Sequence, residues 1–273
     1  MKKLVTTLII TAVASITGCS FTTPTADTLA EVKKKGVLIA GVKNTLPPFG
    51  YIDEKTGNMI GYDIDFVTAL ANKLGVRIEL KPATPANRIE LLLAGDVDII
   101  AATMTKTPER SKQIDFSHTY FFTGQKFITV KGSVNKQADL DGKRISTAKG
   151  STSELNVKKA LPAATLLTFE DYPQAFLALQ QGEVQAVTTD EAILAGMLAK
   201  SPQKDKFEIP NLQLSEEPYG LGMRKGDKKF VDFVNKTILE MEKSGEARKI
   251  FDKWFGPQTD FQLQRNFRIT AGR

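Results

Sequence analysis

Between Val97 and Arg110 the chain reads VDIIAATMTKTPER. Thr103 and Thr105 alternate along an extended stretch, so their hydroxyls project to the same side. Pro108 and Glu109 suit the first turn of a helix, where a missing N–H costs nothing and a negative charge meets the positive dipole end. Arg110 falls in that same turn. Hydroxyls, free backbone N–H groups and a guanidinium therefore converge where a strand hands over to a helix, an arrangement that favours a carboxylate. The same residues would also make an ordinary capped turn with a solvated arginine, and the local sequence leaves both readings open. Further along, Ser151 and Glu154 stand at capping-box spacing, which marks another helix start able to take a negative group. Asp190 closes a strand-like run and could face a cation or simply cap the next helix. The chain has one His (His118) and one Cys (Cys19). With no metal-ligand cluster and no nucleophile–base motif, the expectation is no cofactor, no metal and no enzymatic activity.

The elements that must position these residues alternate between strand and helix. Val37 to Val42 reads as a buried strand, followed by the rigid loop Lys43-Asn44-Thr45-Leu46-Pro47-Pro48-Phe49. In α/β sheets ligands gather at such carboxyl ends. Turn residues at 53–58 predict a hairpin, and Gly61 opens a helix whose Ile64, Val67, Leu70, Ala71 and Leu74 recur at helical spacing before Gly75. A helix over Asn87–Ala94 and the strand Val97–Ala101 follow. Leu92 to Ala101 resembles Leu179 to Thr188: both run helix, Gly, acid, Val, strand. Two similarly wound α/β halves are the expectation.

At 273 residues, with 41% hydrophobic residues, the chain can bury one large core or two modest ones. Its net charge is +6, and about +4 without Lys2 and Lys3, which fall in a leader expected to be removed. The remaining basic residues are scattered among acidic ones, which speaks against a nucleic-acid binder. Lys2-Lys3, the apolar run Leu4–Ile16 and Ile16-Thr17-Gly18-Cys19 read as an export signal. The end of that run resembles a bacterial lipobox, in which Cys19 would be lipidated; a plain secretory signal is the alternative. Residues 1–18 are thus read as signal peptide and 19–28 as a tether. The expected location is the periplasm, with a lipid anchor at a membrane surface.

Several stretches together resemble family 3 solute-binding proteins of amino-acid ABC importers. They are Pro48-Phe49, Gly61-Tyr62-Asp63-Ile64-Asp65-Phe66, Thr107 to Arg110, Asp115-Phe116-Ser117 with Tyr120, Gly150-Ser151-Thr152 and Lys253-Trp254-Phe255-Gly256. They run in collinear order over roughly residues 29–256. The resemblance implies a two-lobed periplasmic-binding-protein fold of type II, two α/β lobes joined by two extended hinge strands near Phe122–Lys126 and Ser215–Tyr219. Lobe 1 would take residues 29–122 and 217–255, lobe 2 residues 126–214, and residues 256–273 would dock on the body as a tail. It also implies a monomer that hands one amino acid to an ABC permease in the inner membrane.

By the same resemblance Arg110 would bind the ligand α-carboxylate, with Thr105 and the backbone near Thr103 adding donors and Ser151 completing the site. Asp190 would pair with the α-ammonium. Where binders of basic amino acids commonly carry Asp after the first strand, this chain has Lys43, and it adds Arg88. Two cations near the side-chain end suit a second carboxylate, so glutamate or aspartate is expected and lysine or arginine rejected. If Lys43 and Arg88 are ordinary surface cations, that choice lapses, and glutamine or asparagine could fit. The alternatives are a dehydratase-like enzyme on the same scaffold, with Glu216 or Glu217 as its acid, and a ligand sensor for a separate kinase. For those two glutamates the plain expectation is surface acids beside Pro218.

Overall fold

The computed structural model describes residues 27–272; the signal, the tether up to residue 26 and Cys19 lie outside the described residues. Asp27 caps α1 (Thr28–Lys35) through a bond from Ala30 N, and Gly36 ends it. The chain continues through β1 (Val37–Val42), β2 (Thr45–Leu46), β3 (Gly50–Ile52), β4 (Met59–Ile60), α2 (Tyr62–Leu74), β5 (Arg77–Pro82), α3 (Arg88–Leu93), β6 (Ile99–Ala101), α4 (Pro108–Gln113) and β7 (Ile114–Phe116). After β8 (Phe121–Val130) come β9 (Arg144–Ala148), α5 (Thr152–Ala160), β10 (Thr165–Phe169), α6 (Tyr172–Gln180), β11 (Ala186–Asp190), α7 (Glu191–Lys200) and β12 (Phe207–Glu208). The chain then returns through β13 (Ser215–Tyr219) to β14 (Gly222–Arg224), α8 (Lys228–Ser244) and α9 (Glu246–Phe255).

Two sheets result. The first has the order β5-β1-β6-β14-β7, with β1 parallel to both β5 and β6. The second has the order β10-β9-β11-β8-β12, with β9 parallel to β10 and β11. The strands that pass between the sheets, β8 and β13, pair antiparallel from Ser215↔Gln125 to Tyr219↔Phe121. The return to the first sheet is split between β13, which ends at Tyr219, and β14, which begins at Gly222. Gly220 lies in the break, where an added Cβ would come 2.8 Å from the Lys106 side chain.

Both sheets aim the carboxyl ends of their parallel strands into one cleft, which is the α/β arrangement that builds sites from loops. Two glycines let the lobes meet there. A Cβ on Gly150 would come 2.8 Å from Ala86 Cα, and one on Gly196 in α7 would come 2.2 Å from Pro47 O. Behind the cleft Phe49, Tyr62, Phe121, Tyr219 and Phe255 pack as one aromatic cluster, with Phe49 and Phe121 centroids 5.0 Å apart. The tail joins it through Phe267, 5.3 Å from Phe121, while Arg265 forms a partly buried ion pair with Glu242 of α8.

Candidate functional site

On the first lobe, β1 delivers Lys43 and β6 delivers residues 102–105. Lys43 is 4% exposed and Arg88 3%. Thr103 adopts φ 49°, a left-handed conformation found at no other non-glycine residue among the described residues. Asp63, in the first turn of α2, holds that turn: its Oδ2 accepts Thr103 N at 2.9 Å and its Oδ1 accepts the Tyr120 hydroxyl at 2.7 Å. The carbonyls of the same turn hold Arg88, whose Nη1 donates to Ala102 O at 2.6 Å and Thr103 O at 3.3 Å. Thr107 caps α4 by accepting Arg110 N, with Pro108 in the first turn. Arg110 reaches along the cleft, donating through Nη1 to Thr105 O at 2.8 Å and through Nη2 to Gly150 O of the second lobe at 3.3 Å.

On the second lobe, Ser151 caps α5, accepting Glu154 N at 3.1 Å and donating to Ala148 O at 2.7 Å. Asp190 sits at the end of β11, where its Oδ2 accepts the Tyr219 hydroxyl. Among the described residues, Asp190 Oδ1 and Arg88 Nε are buried without a hydrogen-bond partner. A small polar molecule carrying both donors and acceptors would relieve that cost. Tyr172, at the start of α6, is buried beside Ser151 and Thr189.

Charge is dense and dry here. Lys43, Arg88 and Arg110 face Asp63, Asp190 and Glu217, all buried. Burial first, and the Arg88 charge second, push the Lys43 ammonium well below the ordinary lysine range, against the pull of Asp171, Asp63 and Glu170. Burial also works against the Arg88 charge, as does neighbouring Arg110, while Asp190 supports it. Burial raises the Asp63 carboxyl to about 6, opposed by the bonds from Tyr120 and Thr103 N and by the Lys43 and Arg88 fields. Burial and then Glu217 raise Asp190 to about 8, against Tyr219 and the two guanidinium groups. A ligand carboxylate near Lys43 and a ligand ammonium near Asp190 would each restore the charged form.

Lys43, Arg88, Thr103, Thr105, Arg110, Ser151 and Asp190 are all buried along this cleft, so Lys43 and Arg88 are not surface cations. Three expectations need correction. Thr105 cannot add a donor, because its hydroxyl donates to Glu217 Oε2 at 2.6 Å and leaves only lone pairs toward the cleft. Thr103 N is likewise taken by Asp63. Glu217 is no surface acid: it is 1% exposed. Its Oε2 also accepts Thr152 Oγ1 at 2.9 Å, and its Oε1 accepts Asn156 Nδ2 at 3.2 Å and the Ser215 hydroxyl. The sequence did carry a signal for it, since Ser215, Glu217 and Tyr219 share one face of a strand by alternation. Glu216, by contrast, is exposed. His118 is half-buried, and its backbone N–H donates to Asn235 Oδ1 at 2.7 Å. Among the described residues no group of three or more His, Cys, Asp or Glu is placed to hold a metal ion.

Comparison with known proteins adds an independent line. The family described as bacterial extracellular solute-binding proteins, family 3, matches residues 38–257. A glutamine-binding protein of Geobacillus stearothermophilus is 40% identical over 251 residues, covering 86% of this chain and 95% of its own. A glutamate/aspartate import solute-binding protein of Salmonella typhimurium is 33% identical over 285 residues, covering 99% of this chain and 94% of its own. Among solved structures, an ancestral arginine-binding protein bound to glutamine superposes with a TM-score of 0.77 at 41% identity, over 81% of this chain and 98% of that one. The shared fold thus serves ligands of different charge, and the side chains of the cleft must make the choice.

Proposed function

Since the chain belongs to the family 3 bacterial extracellular solute-binding proteins, we propose that it captures an acidic amino acid, glutamate or aspartate, and delivers it to an ABC import permease. The observation that carries this reading is the burial of Lys43 and Arg88 in the cleft that also holds Arg110 and Asp190. Arg110 grips the α-carboxylate, a planar fork onto a planar acid. Asp190 takes the α-ammonium, joined by the Thr105 hydroxyl oxygen as an acceptor. Ser151 lends the N-terminus of α5 to the α-carboxylate side. Lys43 and Arg88 receive the side-chain carboxylate. A lysine or arginine ligand would bury a third cation against them, a cost of several kcal/mol. Glutamate and aspartate differ by one carbon in reach, and both suit the pair.

The protein acts by binding and release with no chemical step, outside the cytoplasm, and Cys19 carries a lipid anchor that keeps it near its permease. A second reading, glutamine, is favoured by the push of burial toward an uncharged Lys43, since a neutral amine can both donate to and accept from a side-chain amide, with no charge left to balance. Titration calorimetry on ligand-stripped protein separates them. Glutamate or aspartate should bind at one site at least tenfold tighter than glutamine, about 1.4 kcal/mol. Equal or tighter binding of glutamine supports the second reading, and tight binding of arginine removes both.

A further inference from the structure

We propose that Glu217 is a positioning residue that couples closure of the cleft to capture of the amino-acid backbone, by holding one hydroxyl from each lobe on a single carboxylate oxygen. Its carboxylate is buried and forms no ion pair among the described residues. Such a group is tolerated only when hydrogen bonds satisfy it. Here the bonds come from Thr105 and Thr152 on Oε2, and from Asn156 and Ser215 on Oε1.

The donors have different owners. Thr105 belongs to the first-lobe loop, which is tied to β13 by Lys106 N to Pro218 O at 2.8 Å and Gly220 N to Met104 O at 3.0 Å. Thr152 and Asn156 belong to α5 of the second lobe. Glu217 stands between them on a crossover strand, so rotation about β8 and β13 that parts the lobes must draw one set of donors off the carboxylate. Closure completes its shell, and opening leaves a buried charge short of partners. Arg110 connects this to the ligand, because its Nη1 holds Thr105 O and its Nη2 reaches Gly150 O, beside Ser151 and Thr152. An acid group seated on Arg110 therefore steadies both hydroxyls that Glu217 holds.

The inference rests on amino-acid capture in this cleft and not on which side chain is preferred. Its test uses E217Q, T152V and the double variant of the mature protein. Glutamate and glutamine affinities are measured by calorimetry, and compaction on binding by solution X-ray scattering. An amide in place of the carboxylate cannot accept on both sides, so E217Q should weaken both ligands by one common factor, roughly tenfold to a hundredfold. Their ratio should stay fixed, and more ligand should be needed for the same compaction. T152V should give a smaller common loss and add little to E217Q, the non-additivity expected of partners in one interaction. Wild-type affinity and compaction in E217Q, or fully additive losses, overturn the proposal. Should E217Q not fold, an unchanged T152V overturns it alone. A shift in the glutamate-to-glutamine ratio would instead report on the acidic-ligand reading, so the two failures are distinct.

Discussion

At one end of the cleft Arg110, Thr105, Ser151, Asp190 and Glu217 come from both lobes and the crossover, and their hydrogen bonds run between lobes. At the other end Lys43 and Arg88 come from the first lobe alone and rest on Asp63 and the 102–103 carbonyls. On the function proposed above, the first end grips what every amino acid shares, and it is also where we propose that closure is registered. On the same proposal the second end sets the side-chain preference from a floor built by the first lobe alone, apart from the hinge. Specificity and closure are separable on this proposal, which fits a fold shared by relatives named for ligands of different charge.

The sharpest way to break that division is Arg110→Ala. Removing one partner of a buried charged contact costs about 2–5 kcal/mol, so binding of every amino acid should fall by roughly thirtyfold or more in calorimetry. Retained tight binding of any amino acid would remove Arg110 from the shared end. A smaller and selective effect is expected of Lys43→Met, which keeps most of the side chain's apolar stem but not its charge. Glutamate should weaken by roughly tenfold while glutamine changes little; equal losses for both would merge the two ends into one.

The smallest effect concerns pH. The Asp63 carboxyl, raised to about 6, is ionised above that value and neutral below it. It faces Lys43, Arg88, Tyr120 and the Thr103 N–H. As pH falls from 7.5 to 5.5 its negative charge near the two cations is lost, while a free glutamate side chain stays ionised. The glutamate-to-glutamine affinity ratio should therefore rise severalfold across that range, and Asp63→Asn should flatten it. A ratio that drops as the pH is lowered from 7.5 to 5.5 would contradict the assignment of the floor.

How much of this was legible in the sequence follows from the range of the contacts. Arg110 and Ser151 could be placed because strand ends and helix caps are local chemistry: Thr107, Pro108 and Arg110 lie within one turn, as do Ser151 and Glu154. Asp190 was legible as a strand end, though its bond to Tyr219 spans 29 residues. Glu217 was misread because its role depends on Thr105, which lies 112 residues away, and on Thr152, 65 away. Asp63 lay inside a family signature, yet nothing local joined it to Tyr120 or to the left-handed turn at Thr103. Thr105 was assigned the wrong polarity for the same reason, since a hydroxyl takes its direction from a partner that only the fold supplies.

The central claim is that Lys43 and Arg88 together receive the acid group of the ligand's side chain. A crystal structure of the mature protein with glutamate tests it directly. The account predicts the side-chain carboxylate at about 3 Å from both Lys43 Nζ and the Arg88 guanidinium, with the α-carboxylate on Arg110. A side-chain carboxylate turned away from both cations, and satisfied by other groups, would contradict it.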